Sequence, residues 1–239
     1  MSNDSGQGLE RARLKIIPPL AVALWSGILP TLVIALPAIL HWDADYLPAH
    51  LYIIGTIGQF LMNLPAVILL MRLRNKTASE NSQENKTRHR IVSAIAGIVC
   101  AALLAAPRII TGHWMGGRFM GGLPAFTQSL ALGTPWNMIA GGMAVLAYGP
   151  GEALFVVYLI LAFDQATGNP RSVISWGVVI AAVAWALPHI FNVVYFGVSA
   201  IPNVLVMFFL GIVMGVLLKK TRSSVGPIIF WTLVNGTSA

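Results

Sequence analysis

Residues 135–163, PWNMIAGGMAVLAYGPGEALFVVYLILAF, decide the fold. The run is long and apolar enough for a membrane-spanning helix, which needs about 20 such residues. It is interrupted by Gly149, Pro150 and Gly151, directly before Glu152. Pro150 has no N–H to donate and its ring crowds the preceding turn. Flanking glycines weaken the helix further. The spacing predicts a break there, tolerable at membrane depth only where protein or water satisfies the freed carbonyls. Glu152 is therefore expected to face a polar cavity inside a helix bundle.

The rest of the chain agrees with a membrane setting. Of 239 residues, 56% are hydrophobic and only 10% charged, with a mean hydropathy of +0.76. Soluble domains carry about 25% charged residues. The apolar runs fit helical spans rather than the alternating ~10-residue strands of a barrel. Seven spans are expected at roughly 17–40, 51–72, 90–110, 137–163, 172–197, 201–218 and 224–238. The first is read as an uncleaved anchor, because it is too long for a signal peptide. The expected fold class is an all-α polytopic transmembrane bundle.

Charge orients it. With the N-terminus inside, thirteen of the fifteen Lys and Arg residues fall on the inner side, leaving Arg108 and Arg118 outside. This positive-inside bias implies a cytoplasmic N-terminus and a plasma-membrane location. The net charge of +7 follows span ends and forms no stripe with stacking aromatics, which excludes nucleic acid as a partner. Residues 75–89 are polar and read as a flexible cytoplasmic linker, and residues 111–136 as an outer loop. The single Cys100 excludes an internal disulfide.

Ionisable groups inside a bilayer are costly and mark functional sites. Only Glu152 and His189 lie deep inside apolar segments; the other acids, Asp164 among them, are assigned to the tail, loops or segment ends. Pro188 precedes His189, repeating the broken-helix device, and Asn192 follows within one turn on the same face. A buried carboxylate beside an imidazole suits the holding and deprotonation of a water. The same pair also suits a structural hydrogen bond between two helices. One Glu and one His fall short of the three protein ligands of catalytic zinc, so no metal and no other cofactor is expected. Neither Ser175 nor Ser199 has a base nearby in sequence. Gly211 and Gly215 read as a close helix-packing pair.

The closing stretch, FFLGIVMGVLLKKTRSSVGPIIFWTLVNG at 208–236, has a Gly-spaced span, a basic turn with Thr and Ser, then Pro-Ile-Ile leading to an Asn. It resembles the closing region of the CPBP family, the CAAX protease and bacteriocin-processing intramembrane endopeptidases. That family carries Glu-Glu-x-x-x-Arg, Phe-x-x-x-His and His-x-x-x-Asn motifs. The counterparts here are Glu152 with Ala153 and Val157, then Trp185 with His189, then Trp231 with Asn235. The first Glu, the second-motif His and the final Asn are kept; the other positions differ.

The resemblance implies a CPBP-like core at 137–239, after a 1–136 region holding the tail, three spans, the linker and the outer loop. It implies that Glu152 and His189 activate a water, that Asn235 stabilises the oxyanion, and that Trp185, Asn192 and Trp231 line the site. The expected function is an intramembrane endopeptidase hydrolysing a peptide bond. The alternative is a catalytically impaired relative acting as a membrane polypeptide-binding or assembly subunit, to which the losses at Ala153, Val157 and Trp231 point. A proton-coupled transporter would show paired halves, and none is found. Expected partners are membrane lipids and a polypeptide substrate or membrane-protein partner.

Overall fold

The apolar runs form helices, and the Pro and Gly positions set where those helices bend or end. The computed structural model describes residues 15–26, 49–77, 83–111, 135–168, 172–191 and 197–236. Helix α1 covers Lys15–Ser26, α2 Ala49–Thr77 and α3 Gln83–Thr111. Helix α4, Pro135–Leu146, runs through a π-helical turn, Ala147–Gly151, into α5, Glu152–Thr167. Helix α6, Trp176–Ala186, tightens into a 3-10 turn at Leu187–Phe191. A short 3-10 turn at Gly197–Ala200 leads to α7, Ile201–Thr221, and α8, Val225–Gly236, follows. Among the described residues there is no strand, and the fold is all-α as expected.

Among the described residues, three helical stretches are long and apolar enough to cross a membrane: Thr87–Pro107, Gly142–Thr167 and Ile201–Thr221. Four shorter apolar helices, Lys15–Ser26, Ile57–Leu73, Trp176–Ile190 and Val225–Asn235, match the remaining expected spans in position. This is an integral membrane protein.

Helix α5 is the centre. Phe155 through Ile160 are six consecutive buried residues, so the helix is enclosed on every side, which marks a core element. Helices α2, α6, α7 and α8 pack around it. Where helices cross closely, glycine is the reason. A Cβ on Gly215 would lie 2.5 Å from Val178 Cγ1, and one on Gly211 would lie 2.9 Å from the Ala182 Cα. The Gly211/Gly215 pair therefore packs α7 against α6, as read from its spacing. Helix α3 closes on α8 in the same way, since a Cβ on Gly97 would lie 2.5 Å from the Gly226 carbonyl oxygen. The outward face of α3 shows Ile95 and Leu103, suited to lipid.

Two expectations change. Residues 75–77 end α2 and 83–89 begin α3, so most of the supposed 75–89 linker is helix, continuing the helical turns of its apolar neighbours. Asp164 is only 2% exposed. It pairs with Lys219 and accepts the Gly177 N–H at 3.2 Å. It sits at a segment end in sequence, yet the α5–α6–α7 packing encloses it. The outer-loop residues 112–134 lie outside the described residues.

Candidate active site

The break before Glu152 takes the form of a π turn. The Glu152 N–H reaches the Ala147 carbonyl, five residues back. Pro150 supplies no donor of its own, so carbonyls around the turn need partners from elsewhere. Two side-chain amides provide them. Asn63 of α2 donates from Nδ2 to the Ala147 carbonyl at 2.8 Å, and Asn235 of α8 donates from Nδ2 to the Tyr148 carbonyl at 2.6 Å. Gly151 is required here, because a Cβ would lie 2.8 Å from Asn63 Nδ2. The turn is thus clamped from both sides, and Glu152 projects from its end.

Both carboxylate oxygens of Glu152 accept hydrogen bonds. Gln59 Nε2 donates to Oε1 at 2.8 Å and Trp231 Nε1 donates to Oε2 at 2.8 Å. Among the described residues no cation pairs with it. A carboxylate offers about four lone-pair positions, so these two donors orient the group without saturating it.

His189 lies on the tightened end of α6. A 3-10 turn would bring the residue 188 N–H to the Trp185 carbonyl, but that residue is Pro188. The imidazole fills the gap, with Nδ1 3.1 Å from the Trp185 carbonyl oxygen. A carbonyl only accepts, so Nδ1 carries the proton in this contact, and Nε2 is the acceptor whenever the ring is neutral. Trp185 meets the His189 ring edge to face, with centroids 5.8 Å apart, and meets Trp231 in the same manner at 4.6 Å. Both tryptophans are 3% exposed. Glu152 and His189 share no direct hydrogen bond or ion pair; Trp231 and Trp185 connect them.

Five of the six residues expected in the site are therefore adjacent through bonds or ring contacts to Glu152, its turn or one another. Asn192 lies outside the described residues. Ala153 and Val157, at motif positions that differ from the family pattern, are 0% and 1% exposed and belong to the apolar core. Ser175 caps α6 through Val178 N–H at 3.3 Å, a structural role.

Two residues were missed in the sequence. Gln59 and Asn63 stand one turn apart on α2, and that pair of amides inside an apolar helix was the available signal. Asn63 is 3% exposed, and its Oδ1 has no hydrogen-bond partner. The site thus holds one buried acceptor suited to a donor group on water or a polypeptide. Among the described residues no three His, Cys, Asp or Glu side chains converge as a metal-binding group.

No curated protein and no solved structure gives a significant match to this chain. A family model does: residues 133–237 match the one described as Type II CAAX prenyl endopeptidase Rce1-like. The matched segment contains Glu152, His189, Trp185, Trp231 and Asn235, while Gln59 and Asn63 precede it. The C-terminal part of this membrane protein, residues 133–237, is thus similar to the Rce1-like endopeptidases that the model describes.

Proposed function

We propose that this domain is an intramembrane endopeptidase site in which Glu152, assisted by His189, activates a water against a peptide carbonyl. The observation that carries this reading is the Glu152 carboxylate, held by two neutral donors at 2.8 Å each, with no cation paired to it among the described residues. In the proposed reaction one water proton passes to Glu152 and the hydroxide oxygen bonds the carbonyl carbon. The resulting oxyanion is stabilised by Asn235, one turn along α8 from Trp231. Collapse breaks the C–N bond, and the proton held by Glu152 passes to the leaving amine. His189 Nε2 assists as an acceptor near the water. Trp231 donates but carries no proton between groups. Trp185 lines the path of the polypeptide. No cofactor enters any step. The matched family description makes a prenylated C-terminal CAAX segment the first substrate to try, in a lipid bilayer and with the plasma membrane as the proposed location.

A second reading is favoured by a specific observation: each Glu152 oxygen is already bonded by protein, and Ala153 and Val157 bring no polar group. On that reading the domain binds a membrane polypeptide without cutting it. The deciding experiment is cleavage of a farnesylated CAAX peptide by the full chain in proteoliposomes, with Glu152→Gln and His189→Ala as controls. The protease reading expects cleavage by the wild type and loss in both variants. A membrane protein co-purifying with both wild type and Glu152→Gln, with no cleavage by either, selects the binding reading.

A further inference from the structure

We infer that α2, which lies outside the 133–237 segment, is a working wall of the site, with Gln59 as the positioning residue for Glu152. The inference deepens the reading of Glu152 as the reacting group. On its own helix Glu152 has no polar neighbour one turn away, because Phe155 and Val156 are buried in the apolar core. Its orientation comes from two other helices, through Gln59 of α2 and Trp231 of α8. A carboxylate bonded at one oxygen alone can swing about that bond, whereas donors at both oxygens fix its plane.

The same face of α2 also sets the height of the residue. Asn63, one turn beyond Gln59, bonds the Ala147 carbonyl at 2.8 Å, and the missing Cβ of Gly151 is what lets it approach. Two bonds from one helix face therefore reach the π turn and the carboxylate that the turn presents. A contact serving only to attach α2 would have no need to end on the reacting group. The Rce1-like segment alone thus contains the reacting side chain but only one of the two donors that aim it.

The test reads geometry rather than cleavage, so it stands even if the wild type proves inactive. In full-length protein with ¹⁵N-labelled tryptophan in bicelles, the Trp231 indole N–H is assigned from its loss in Trp231→Phe. Glu152→Gln should shift that resonance, establishing it as a reporter of the carboxylate. Gln59→Leu should shift it too and speed its hydrogen exchange about tenfold, the order of one hydrogen bond's worth. Phe60→Leu, altering an exposed apolar neighbour, should leave it in place. Gln59→Asn, one methylene short of the carboxylate, should act like Gln59→Leu while keeping an amide. If cleavage is observed, Gln59→Leu should lower kcat with KM unchanged.

An unmoved Trp231 resonance in folded Gln59→Leu or Gln59→Asn, with Glu152→Gln shifted, overturns the inference. So does failure of both Gln59 variants to fold where Phe60→Leu folds, which would make Gln59 structural. Absence of cleavage by the wild type, with the resonance behaving as expected, removes the protease reading and leaves the positioning role standing.

Discussion

Among the described residues, α5 carries a half-buried carboxylate, Glu152, and a buried one, Asp164, about 18 Å apart at ~1.5 Å rise per residue, and they are held in opposite ways. Asp164 is neutralised by Lys219 and by the Gly177 N–H. A Cβ on Gly177 would lie 2.5 Å from Asp164 Oδ1, so α5 and α6 cross where the charge is enclosed. Glu152 has no cation partner among the described residues and is held by two neutral donors, an amide and an indole. An ion pair committed to a cation and a backbone donor ties helices together and offers little to a substrate. A carboxyl group oriented by neutral donors keeps part of its acceptor capacity available. The two acids are therefore distinguished by the identity of their partners.

The sharpest way to break this contrast is Glu152→Gln. The exchange keeps size and can retain one of the two hydrogen bonds. Loss of a general base costs ~10²–10⁴ in rate, so cleavage of a prenylated CAAX peptide should fall by at least about a hundredfold while thermal unfolding shifts little.

At the other carboxylate the expected effect lies on stability. Lys219→Met leaves Asp164 buried and unpaired, which costs about 3–5 kcal/mol and should appear as a marked drop in the unfolding midpoint in detergent. The double variant Asp164→Leu/Lys219→Met should recover most of that loss. A single variant as stable as wild type would show that the pair is not enclosed as described.

Gly151→Ala sharpens the comparison at the turn. Its Cβ would lie 2.8 Å from Asn63 Nδ2 and 3.0 Å from the Leu146 carbonyl oxygen. Overpacking of this kind costs ~1–3 kcal/mol, and the displaced Asn63 should lower cleavage as well. Asn235→Leu removes the donor from the Tyr148 carbonyl and should cost ~1–3 kcal/mol; on the protease reading it also removes the oxyanion donor and should lower cleavage ~10²–10³-fold. Ser175→Ala, a helix cap remote from both carboxylates, should cost only ~1 kcal/mol and leave activity per folded molecule unchanged.

Much of this was legible in the chain. The Gly149-Pro150-Gly151 triplet announced an interrupted helix ahead of Glu152, because Pro cannot donate and crowds the turn behind it. The GxxxG spacing announced a close helix crossing, and the packing identifies its partner as α6. What stayed hidden was pairing across long sequence separation. Asp164 looked peripheral because it lies near a span end, although the positive-inside topology puts that end and Lys219 on the same side. Gln59 and Asn63 looked generic in a span without charges, and only the packing of α2 on the π turn gives them partners 84 to 93 residues away. Trp231 was read as a possible indole donor, but its bond to Glu152 and contact with Trp185 depend on how α8 packs.

The most direct test puts the two carboxylates side by side in proteoliposomes, comparing Glu152→Gln with Asp164→Asn for turnover of a farnesylated CAAX peptide and for thermal midpoint. The expected result is a split: Glu152→Gln stays folded and loses cleavage, while Asp164→Asn melts earlier yet cleaves at the wild-type rate per folded molecule. Wild-type turnover by Glu152→Gln would contradict the assignment of chemistry to that carboxylate.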